Sequence, residues 1–464
     1  MGQPRFMLAA CASGSGKTMI TCGMLRALER RGLKAASFKC GPDYIDPMFH
    51  SRMLHASSRN LDTFFTEPAM TRYLFARGAK GADISVMEGV MGYYDGMGLT
   101  DTTASSSDLA RVTETPVVLI VNVRGMSLSA AALVKGFLEY RRPTQIRGVI
   151  LNQASPMAYQ ELAAQMEKEL GIPVFGYVPK VPELTLESRH LGLVMPDEVE
   201  ALDEKLNLLA EKLEETLDID GILKLAGDAP EIPEIMPEAL EGVLARAGEI
   251  RRERPVLAVA RDEAFCFFYE DNLRLLRDLG AEIRYFSPIR DRKLPEGAGG
   301  LLLYGGYPEL NALELSENKA MREEIRKALD AGMPCLAECG GFMYLHEWME
   351  DMEGKAYPMA GVVEGKAYYT GKLGRFGYIC LEAQEKGVLG EGKALKGHEF
   401  HYFDSTSCGG SYLAKKPKRK RSWSCIHGRT NGLMGFPHLY YYSDPEFAAE
   451  FLEGCVIYGK QVGG

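Results

Sequence analysis

The chain has 464 residues, 46% of them hydrophobic and 25% charged, and a formal net charge of −9. Its composition is that of a globular protein, its length predicts two or three domains, and its acidic balance excludes a general attraction to nucleic acid or anionic membranes. It has no apolar run long enough to span a bilayer, and its ten cysteines form no dense disulfide framework. We therefore expect a cytoplasmic protein with no nucleic-acid and no membrane partner.

The first element is an apolar strand that ends in a loop of small residues and continues into a helical pattern. Two glycines in this loop allow backbone N–H groups to converge on phosphate oxygens, a lysine supplies positive charge, and a threonine offers its hydroxyl to a magnesium ion. Cys11 stands where the strict phosphate-loop pattern has its first glycine. The predicted nucleotide-binding residues are Ser13, Gly14, Ser15, Gly16, Lys17 and Thr18.

Carboxylates follow the next two predicted strands. The strand over 35–40 leads into a turn that contains Asp43 and Asp46 between two prolines, and the strand that begins at 84 ends at Glu88. Because the ends of parallel strands face the phosphate site in doubly wound folds, these side chains are candidates for a magnesium ion or a substrate group. Asp95, in the glycine-containing loop after Glu88, is a candidate for the same site.

The remaining pattern alternates strands with helices, which predicts parallel sheets covered on both faces. An acidic, proline-rich stretch over 228–237 is typical of a linker. We predict an ATPase domain over 1–195, a helical linker over 196–250 and a second α/β domain over 251–464. The other predicted strands are 116–122, 147–152, 172–179, 255–260, 281–286 and 300–306, and the other predicted helices are 127–140, 157–170, 197–218 and 269–279.

A second candidate site lies in the last third of the chain. Cys339 stands at a sharp turn between a short strand and a helix, where its thiolate would be stabilised and its sulfur would face outward. Alone, Cys339 fits a buried core cysteine equally well. His438 and the glycines after the preceding strand favour acyl transfer, with backbone N–H groups near Gly306 and Gly340 as an oxyanion hole.

Together these residues resemble the cobyrinic acid a,c-diamide synthase family. The N-terminal half is similar to dethiobiotin synthetase-like P-loop ATPases, and the C-terminal half is similar to flavodoxin-like class I glutamine amidotransferases. The resemblance covers nearly the whole chain. Its motifs are SGSGKT (13–18), KCGPDYIDP (39–47), MEGVMGYYDG (87–96), ESRHLGL (187–193), ECGG (338–341), GHEFHY (397–402) and PHLYYYSDP (437–445).

The resemblance implies ATP-dependent amidation of the a- and c-acetate carboxylates of cobyrinate, a tetrapyrrole polycarboxylate in cobalamin biosynthesis, with L-glutamine as nitrogen donor. It implies that Cys339 and His438 are catalytic, and Tyr440 stands where many class I amidotransferases have a third catalytic residue, a glutamate. A homodimer is kept open. The other implied roles are phosphate binding by Lys17 and Lys39, Mg²⁺ binding by Thr18, Asp46 and Glu88, and substrate binding by Asp43, Tyr44, Asp46 and Asp95.

Two alternatives stay open at this point. One is the same reaction on hydrogenobyrinate or nickel-sirohydrochlorin. The other is a switch ATPase of the partitioning class, although such proteins usually carry a lysine where Ala12 stands. The basic run 415–421 is either a solvated loop or a patch that attracts an anionic macrocycle.

Overall fold

The computed structural model describes residues 2–54, 58–180, 188–189, 192–193, 196, 199 and 201–462. The chain forms two compact units, Met1–Met236 and Pro237–Gly464. Residues 196–250, which we predicted as a linker, are divided between them: helices as far as Gly227 belong to the first unit, and helices from Glu238 belong to the second. The described part of the acidic stretch 228–237 between them has no regular structure, as a linker composition predicts.

The first unit is built on a seven-stranded sheet in the order β3-β2-β4-β1-β5-β6-β7. Neighbouring strands are parallel throughout, as the alternation of strands and helices predicts. The central strands are buried on both faces, which their continuous apolar sequence requires. The strands of this unit are β1 (Arg5–Ala10), β2 (Ala35–Cys40), β3 (Arg59–Leu61), β4 (Ile84–Glu88), β5 (Val117–Asn122), β6 (Ile146–Asn152), β7 (Val174–Val178), and the two-residue pair β8 (Ser188–Arg189) and β9 (Gly192–Leu193).

Helices cover this sheet, and the last two of them lie in the segment 196–250 that we predicted as a helical linker. A Cβ on Gly23 in α1 would lie 2.6 Å from Leu209 Cγ in α7, so the glycine allows these two helices to pack closely. Of the family-like motif 187–193, only strands β8 and β9 lie within the described residues. The helices are α1 (Lys17–Arg30), α2 (Ile45–Leu54), α3 (Pro68–Gly78), α4 (Ser106–Val112), α5 (Ser129–Glu139), α6 (Pro156–Leu170), α7 (Leu202–Thr216) and α8 (Ile219–Gly227).

The second unit has its own six-stranded sheet in the order β11-β10-β12-β13-β23-β22. The first five strands of that order are parallel, and only β22 is antiparallel to its neighbour. Its strands are β10 (Val256–Ala260), β11 (Glu282–Phe286), β12 (Ala298–Leu303), β13 (Cys335–Glu338), β22 (His427–Arg429) and β23 (Gly432–Gly435). Its helices are α9 (Glu238–Arg246), α10 (Gly248–Glu253), α11 (Glu270–Leu279), α12 (Ala312–Glu317), α13 (Lys319–Asp330), α14 (Gly340–Tyr344) and α15 (Pro445–Val462).

Between α14 and α15 the chain forms two mainly antiparallel sheets that we did not predict. They have the orders β15-β14-β16-β19 and β21-β20-β17-β18-β24. The last strand, β24, carries His438 from the second sheet to the end of β23 in the parallel sheet. These strands are β14 (His346–Glu350), β15 (Ala356–Pro358), β16 (Val363–Tyr369), β17 (Gly377–Ala383), β18 (Lys396–Glu399), β19 (Phe403–Ser405), β20 (Tyr412–Lys415), β21 (Ser422–Cys425) and β24 (His438–Leu439).

Among the helices of the described residues, none is both long enough and apolar enough to cross a membrane.

Candidate active sites

The loop between β1 and α1 has the backbone of a phosphate cradle. Gly14 and Gly16 have φ values of 73° and 88°, in the left-handed region that favours glycine. At Gly16 space is also limited, because a Cβ there would lie 2.6 Å from Asn152 Nδ2. Asn152, at the end of β6, donates a hydrogen bond of 2.8 Å to the Ser15 carbonyl and so ties the loop to the sheet. Residues 12–14 are exposed to solvent, so their backbone is accessible to a ligand.

Lys17 is the cation of this loop, and its side chain folds back over the loop. Its Nζ donates to the Met91 carbonyl at 2.6 Å and to the Ala12 carbonyl at 3.4 Å. Burial, together with the nearby charge of Lys39, lowers the pKa of Lys17 to about 8. An anionic phosphate in the loop would oppose both effects and favour the ammonium form. The side chain therefore has more to gain from a phosphate than an exposed lysine would.

Glu88, at the end of β4, is the centre of the polar cluster beside the loop. Its Oε1 accepts hydrogen bonds from Thr18 Oγ1 and Lys39 Nζ, both at 2.8 Å. Lys39 Nζ also forms an ion pair with Asp46 Oδ2 at 2.6 Å. Burial alone would lower the pKa of Lys39 and raise that of Glu88, but the opposite charges outweigh it, so the pKa of Lys39 is raised and that of Glu88 lowered. Both groups are charged at neutral pH.

His50 completes this cluster and was not predicted from the sequence. Its Nε2 lies 2.7 Å from Glu88 Oε2, and its Nδ1 lies 2.9 Å from Ser37 Oγ. The residue is fully buried in α2, four positions after Asp46. Residues four apart on a helix share a face, so the spacing of Asp46 and His50 was the available signal. His50 holds the second oxygen of Glu88 and leaves the first oxygen for Thr18 and Lys39.

The oxygen atoms at this edge fit a magnesium ion. Thr18 Oγ1 and Glu88 Oε1 lie within 2.8 Å of each other, and Asp46 reaches the same cluster through Lys39. Hydroxyl and carboxylate oxygens are the hard ligands that Mg²⁺ prefers. The Lys39 ammonium lies between the carboxylates of Asp46 and Glu88. To contact a phosphate directly, Lys39 would have to give up at least one of these ion pairs.

The other predicted substrate-binding residues surround this cluster with different roles. Asp43 Oδ1 accepts backbone hydrogen bonds from Ile45 and Asp46 at 2.9 and 3.2 Å, and so orders the first turn of α2. Tyr44 is buried, whereas Asp95 is exposed and its Oδ2 accepts from the Gly92 N–H at 2.9 Å. Within the first unit, the structure therefore brings Lys17, Thr18, Lys39, Asp46 and Glu88 together. Asp43 and Asp95 are engaged with the backbone of their own loops.

Cys339 occupies the sharp turn between β13 and α14 that the sequence predicts. Its φ of 46° and ψ of −106° lie outside the conformations common for residues with a side chain. Two backbone hydrogen bonds of 2.9 Å fix the turn, one from the Cys339 N–H to the Gly435 carbonyl and one from the Met343 N–H to the Cys339 carbonyl. Burial and the charge of Glu309 raise the pKa of the Cys339 thiol, while a hydrogen bond from the Gly340 N–H opposes them. The resting group is therefore a buried thiol, and the stabilised thiolate that we predicted from the sequence is wrong, because burial outweighs the single N–H contact.

The glycines after β12 leave the space in which Cys339 and His438 meet. A Cβ on Gly305 would lie 2.5 Å from His438 Cε1, 3.4 Å from His438 Nε2 and 3.5 Å from Cys339 Cβ. The Gly305 carbonyl accepts hydrogen bonds of 3.0 Å from the Cys266 and Phe267 N–H groups. Because the carbonyl and N–H of a trans peptide point in opposite directions, the Gly306 N–H faces away from these donors. Its nitrogen would lie 3.2 Å from a Cβ on Gly340, so both predicted oxyanion residues are neighbours.

His438 is held in place by residues of the antiparallel sheet and of β13. It pairs with His398 across β24 and β18, and the two rings stack with centroids 4.9 Å apart. The Nδ1 atom of His438 lies 3.8 Å from Glu338 Oε2. Burial and the charges of His398 and His401 lower the pKa of His438 well below its usual value, so the resting ring is neutral. A neutral imidazole beside a thiol can act as a general base.

The basic run 415–421 lies at the turn between β20 and β21. Lys415 pairs with Glu382, and the Lys416 ammonium is engaged by the carbonyls of Phe376 and Tyr378. Burial lowers the pKa of Lys416 to about 8. Lys418, Arg419, Lys420 and Arg421 at the tip of the run are exposed and can act on anions at long range, whereas Lys415 is exposed but paired with Glu382.

Comparison with known families agrees with this division of the chain. Residues 6–194 match the model described as "CobQ/CobB/MinD/ParA nucleotide binding domain". Residues 256–434 match the model described as "CobB/CobQ-like glutamine amidotransferase domain". The two matches correspond to the parts that hold the phosphate loop and Cys339.

Relatives of similar length match the whole chain. A cobyrinate a,c-diamide synthase of Caldanaerobacter subterraneus is 40% identical over 463 residues, which cover 98% of this chain and 99% of that protein. One of Dehalococcoides mccartyi is 39% identical over 97% of this chain and 98% of its own length. One of Priestia megaterium is 35% identical over 99% of both chains.

Proposed function

The chain belongs to the cobyrinate a,c-diamide synthase family, and from this premise we propose how its two sites divide the reaction. As a member of that family it is a glutamine-dependent amidating ligase with a nucleotide-binding domain. We assign it the a- and c-acetate carboxylates of cobyrinate as acceptors, ATP as the activating substrate and L-glutamine as the nitrogen donor. The observation that carries the assignment is the convergence of Cys339 and His438 above Gly305 in a unit separate from the Lys17 loop.

The first unit activates the acceptor. A carboxylate does not react with ammonia until one of its oxygens becomes a leaving group, and transfer of the ATP γ-phosphoryl group produces an acyl phosphate that meets this need. The loop N–H groups and Lys17 hold the phosphates, and Glu88 is fixed by His50 and Lys39. Thr18 and Glu88, with Asp46 nearby, would hold Mg²⁺, which when bound neutralises charge on the phosphates. Ammonia then displaces phosphate and leaves the amide.

The second unit supplies ammonia. Cys339 Sγ attacks the side-chain carbonyl of glutamine while His438 accepts the thiol proton. The oxygen of the tetrahedral intermediate is bound by the N–H groups of Gly306 and Gly340. His438 gives its proton to the departing ammonia, and water hydrolyses the thioester to glutamate. The neutral thiol and imidazole of the resting site suit this order of events, because the proton moves only when glutamine is attacked.

Two single variants test the division. Cys339→Ser should lose glutamine-dependent amide synthesis and keep synthesis from an ammonium salt, because a serine is a far poorer nucleophile in a pocket built for sulfur. Lys17→Ala should lose synthesis from either nitrogen source and keep glutamine hydrolysis. The unfolding transition of each variant, compared with that of wild type, shows whether the altered unit is still folded. Full glutamine-dependent synthesis by Cys339→Ser, or normal diamide yield from Lys17→Ala, would refute the assignment.

The acceptor is tested with the same assay. Cobyrinate, hydrogenobyrinate and nickel-sirohydrochlorin are supplied in parallel with ATP, Mg²⁺ and glutamine, and the products are counted by mass. We expect two amidations of cobyrinate, and a preference of more than tenfold for another macrocycle would reassign the substrate.

ATP and glutamine are cytoplasmic metabolites, so we place the enzyme in the cytoplasm. Sedimentation of the purified chain would decide between a monomer and a homodimer.

A further inference from the structure

Glu338, the last residue of β13, is a buried carboxyl group that the proposed reaction does not yet use. It directly precedes Cys339 in the chain, and its side chain is 4% exposed. It is the only charged residue in a strand whose other members are Cys335, Leu336 and Ala337. Taking a carboxyl group out of water without compensation costs several kcal/mol in general, so its retention at this point needs an explanation.

The side chain is oriented toward His438. Its Oε2 lies 3.8 Å from His438 Nδ1, whereas the space shared with Cys339 lies against Cε1 and Nε2 of the same ring. The Leu439 N–H and the Tyr441 hydroxyl lie close enough to oppose the rise in the pKa of this carboxyl group, and the Tyr441 hydroxyl lies 3.2 Å from the Tyr304 hydroxyl. No residue of the described part of the chain donates a hydrogen bond to Glu338 Oε1. The oxygen beside the imidazole is Oε2, and its 3.8 Å from Nδ1 is longer than a hydrogen bond, so a small movement of either side chain is needed to form one.

A neutral imidazole carries its proton on one nitrogen only, and this choice decides whether His438 can act as a base. If Nδ1 carries the proton, the lone pair of Nε2 is free to accept the proton of the Cys339 thiol. If Nε2 carries it, the ring cannot accept that proton. An acceptor beside Nδ1 selects the productive form, as hydrogen-bond partners of histidines do in other active sites.

We propose that Glu338 is a positioning residue for His438: when the 3.8 Å between its Oε2 and Nδ1 shortens to hydrogen-bond length as the site binds glutamine, Oε2 accepts from Nδ1–H and so keeps Nε2 unprotonated and directed at Cys339. The imidazolium ion formed during attack also has Nδ1–H beside this acceptor, so the same contact stabilises the charged state. The carboxyl group takes the place of the glutamate that many class I amidotransferases have after the histidine, where this chain has Tyr440. Glu338 approaches the ring of His438 from the end of β13 instead.

This inference rests on the proposed roles of Cys339 and His438. Burial raises the pKa of Glu338 well above its usual value, and the imidazolium ion formed during attack would lower that pKa again and favour the carboxylate, which can only accept. The carboxamide of a glutamine has the same shape but can present an NH₂ group to Nδ1. That group would donate to Nδ1 and stabilise the unproductive form of the ring.

The test compares Glu338→Gln with Tyr304→Phe. We expect Glu338→Gln to lower kcat for glutamine hydrolysis by about 10² to 10⁴-fold, the range for a wrong tautomer or a lost partner of a catalytic histidine. KM for glutamine should change less than about threefold, because no contact with substrate is removed. Tyr304→Phe removes a buried hydroxyl from the same group of side chains without touching His438, and should keep kcat within about threefold.

Nitrogen NMR of the unchanged protein labelled with ¹⁵N-histidine gives a second measurement, with the His438→Asn variant to assign the signals. The inference requires His438 to carry its proton on Nδ1 in the wild type and on Nε2 in Glu338→Gln. A wild-type ring protonated on Nε2, or unchanged hydrolysis by Glu338→Gln, would overturn it. If Glu338→Gln does not fold, which the loss of the unfolding transition of the second unit would reveal, the wild-type spectrum decides. Absence of glutamine hydrolysis in the wild type would instead refute the proposed function.

Discussion

The space above Gly305 gives a direct test of how Cys339 and His438 work together. Gly305 is not among the residues with positive φ, so alanine is compatible with its backbone and only the added methyl group acts. That carbon would lie 2.5 Å from His438 Cε1, whereas ordinary carbon contacts are about 3.5 to 4 Å. The ring must therefore retreat by about 1 Å, on the side that faces Cys339.

A displacement of this size has a large kinetic effect. A shift of about 1 Å in a reacting group costs about 10²-fold in rate, and overpacking of a buried site costs about 1 to 3 kcal/mol of stability. We expect Gly305→Ala to lower kcat for glutamine hydrolysis by about 10²-fold or more. Synthesis from an ammonium salt should stay within about twofold of wild type, because the Lys17 loop belongs to the other unit.

Glutamate release measures the first activity and diamide formation with ammonium measures the second. Gly459→Ala is the matched control: Gly459 lies on the exposed side of α15, where an added Cβ meets nothing within 4 Å. It should leave both activities unchanged and gain up to about 1 kcal/mol of stability. Glutamine hydrolysis by Gly305→Ala within threefold of wild type would refute the packing of Cys339 and His438 around Gly305.

Three further predictions follow from other residues. Burial raises the pKa of Glu309 to about 7, so between about pH 4.5 and 7 the folded chain holds a proton that the unfolded chain releases, and stability falls as pH rises through this window. The free energy of unfolding of Glu309→Gln should be near that of wild type at pH 4.5 and up to about 3 kcal/mol higher at pH 8. If the variant and the wild type differ by the same amount at both pH values, the raised pKa of Glu309 is refuted. His50→Ala leaves Glu88 Oε2 without its partner and should lower the free energy of unfolding by about 2 to 4 kcal/mol, together with ammonia-dependent synthesis, while glutamine hydrolysis persists. Replacing Lys418, Arg419 and Lys420 by glutamine should raise KM for the macrocycle at low salt, with an effect that fades above about 0.5 M because exposed charges are screened; an unchanged KM at low salt would leave only a solvated turn.

The parallel sheets could be predicted because their strands are continuous apolar runs bounded by turn residues. The strand over 35–40 was predicted with the limits that β2 has, and Glu88 stands at the end of β4 as expected. β3 has only three residues and gives no pattern of its own. The two antiparallel sheets between α14 and α15 were missed because most of their strands have only two to five residues, too few to show a clear alternation.

The same limit applies to the sites. Residues that bear chemistry in a recognisable local order, such as Lys17, Thr18 and Cys339, could be found in the sequence. Residues that approach a site from another part of the fold could not be found in this way. Gly305 matters because its lack of a side chain leaves space for His438, and Glu338 matters because β13 places its carboxyl group beside His438. A buried carboxyl group in an apolar strand was nevertheless a signal, because such a group requires a partner.

The two sites use one backbone design and differ in where its strain lies. Each places a turn between the end of a parallel strand and a helix, with positive φ at the residue before the helix begins. In the phosphate loop that residue is Gly16, which adopts the conformation at little cost and offers only its N–H. In the second unit it is Cys339, because the chemistry needs a side chain there. The left-handed conformation of a residue with a side chain costs about 1 to 3 kcal/mol, and the hydrogen bonds of Cys339 to Gly435 and Met343 hold it. A glycine at 339 would relieve the strain and remove the nucleophile, so stability and catalysis oppose each other at this position.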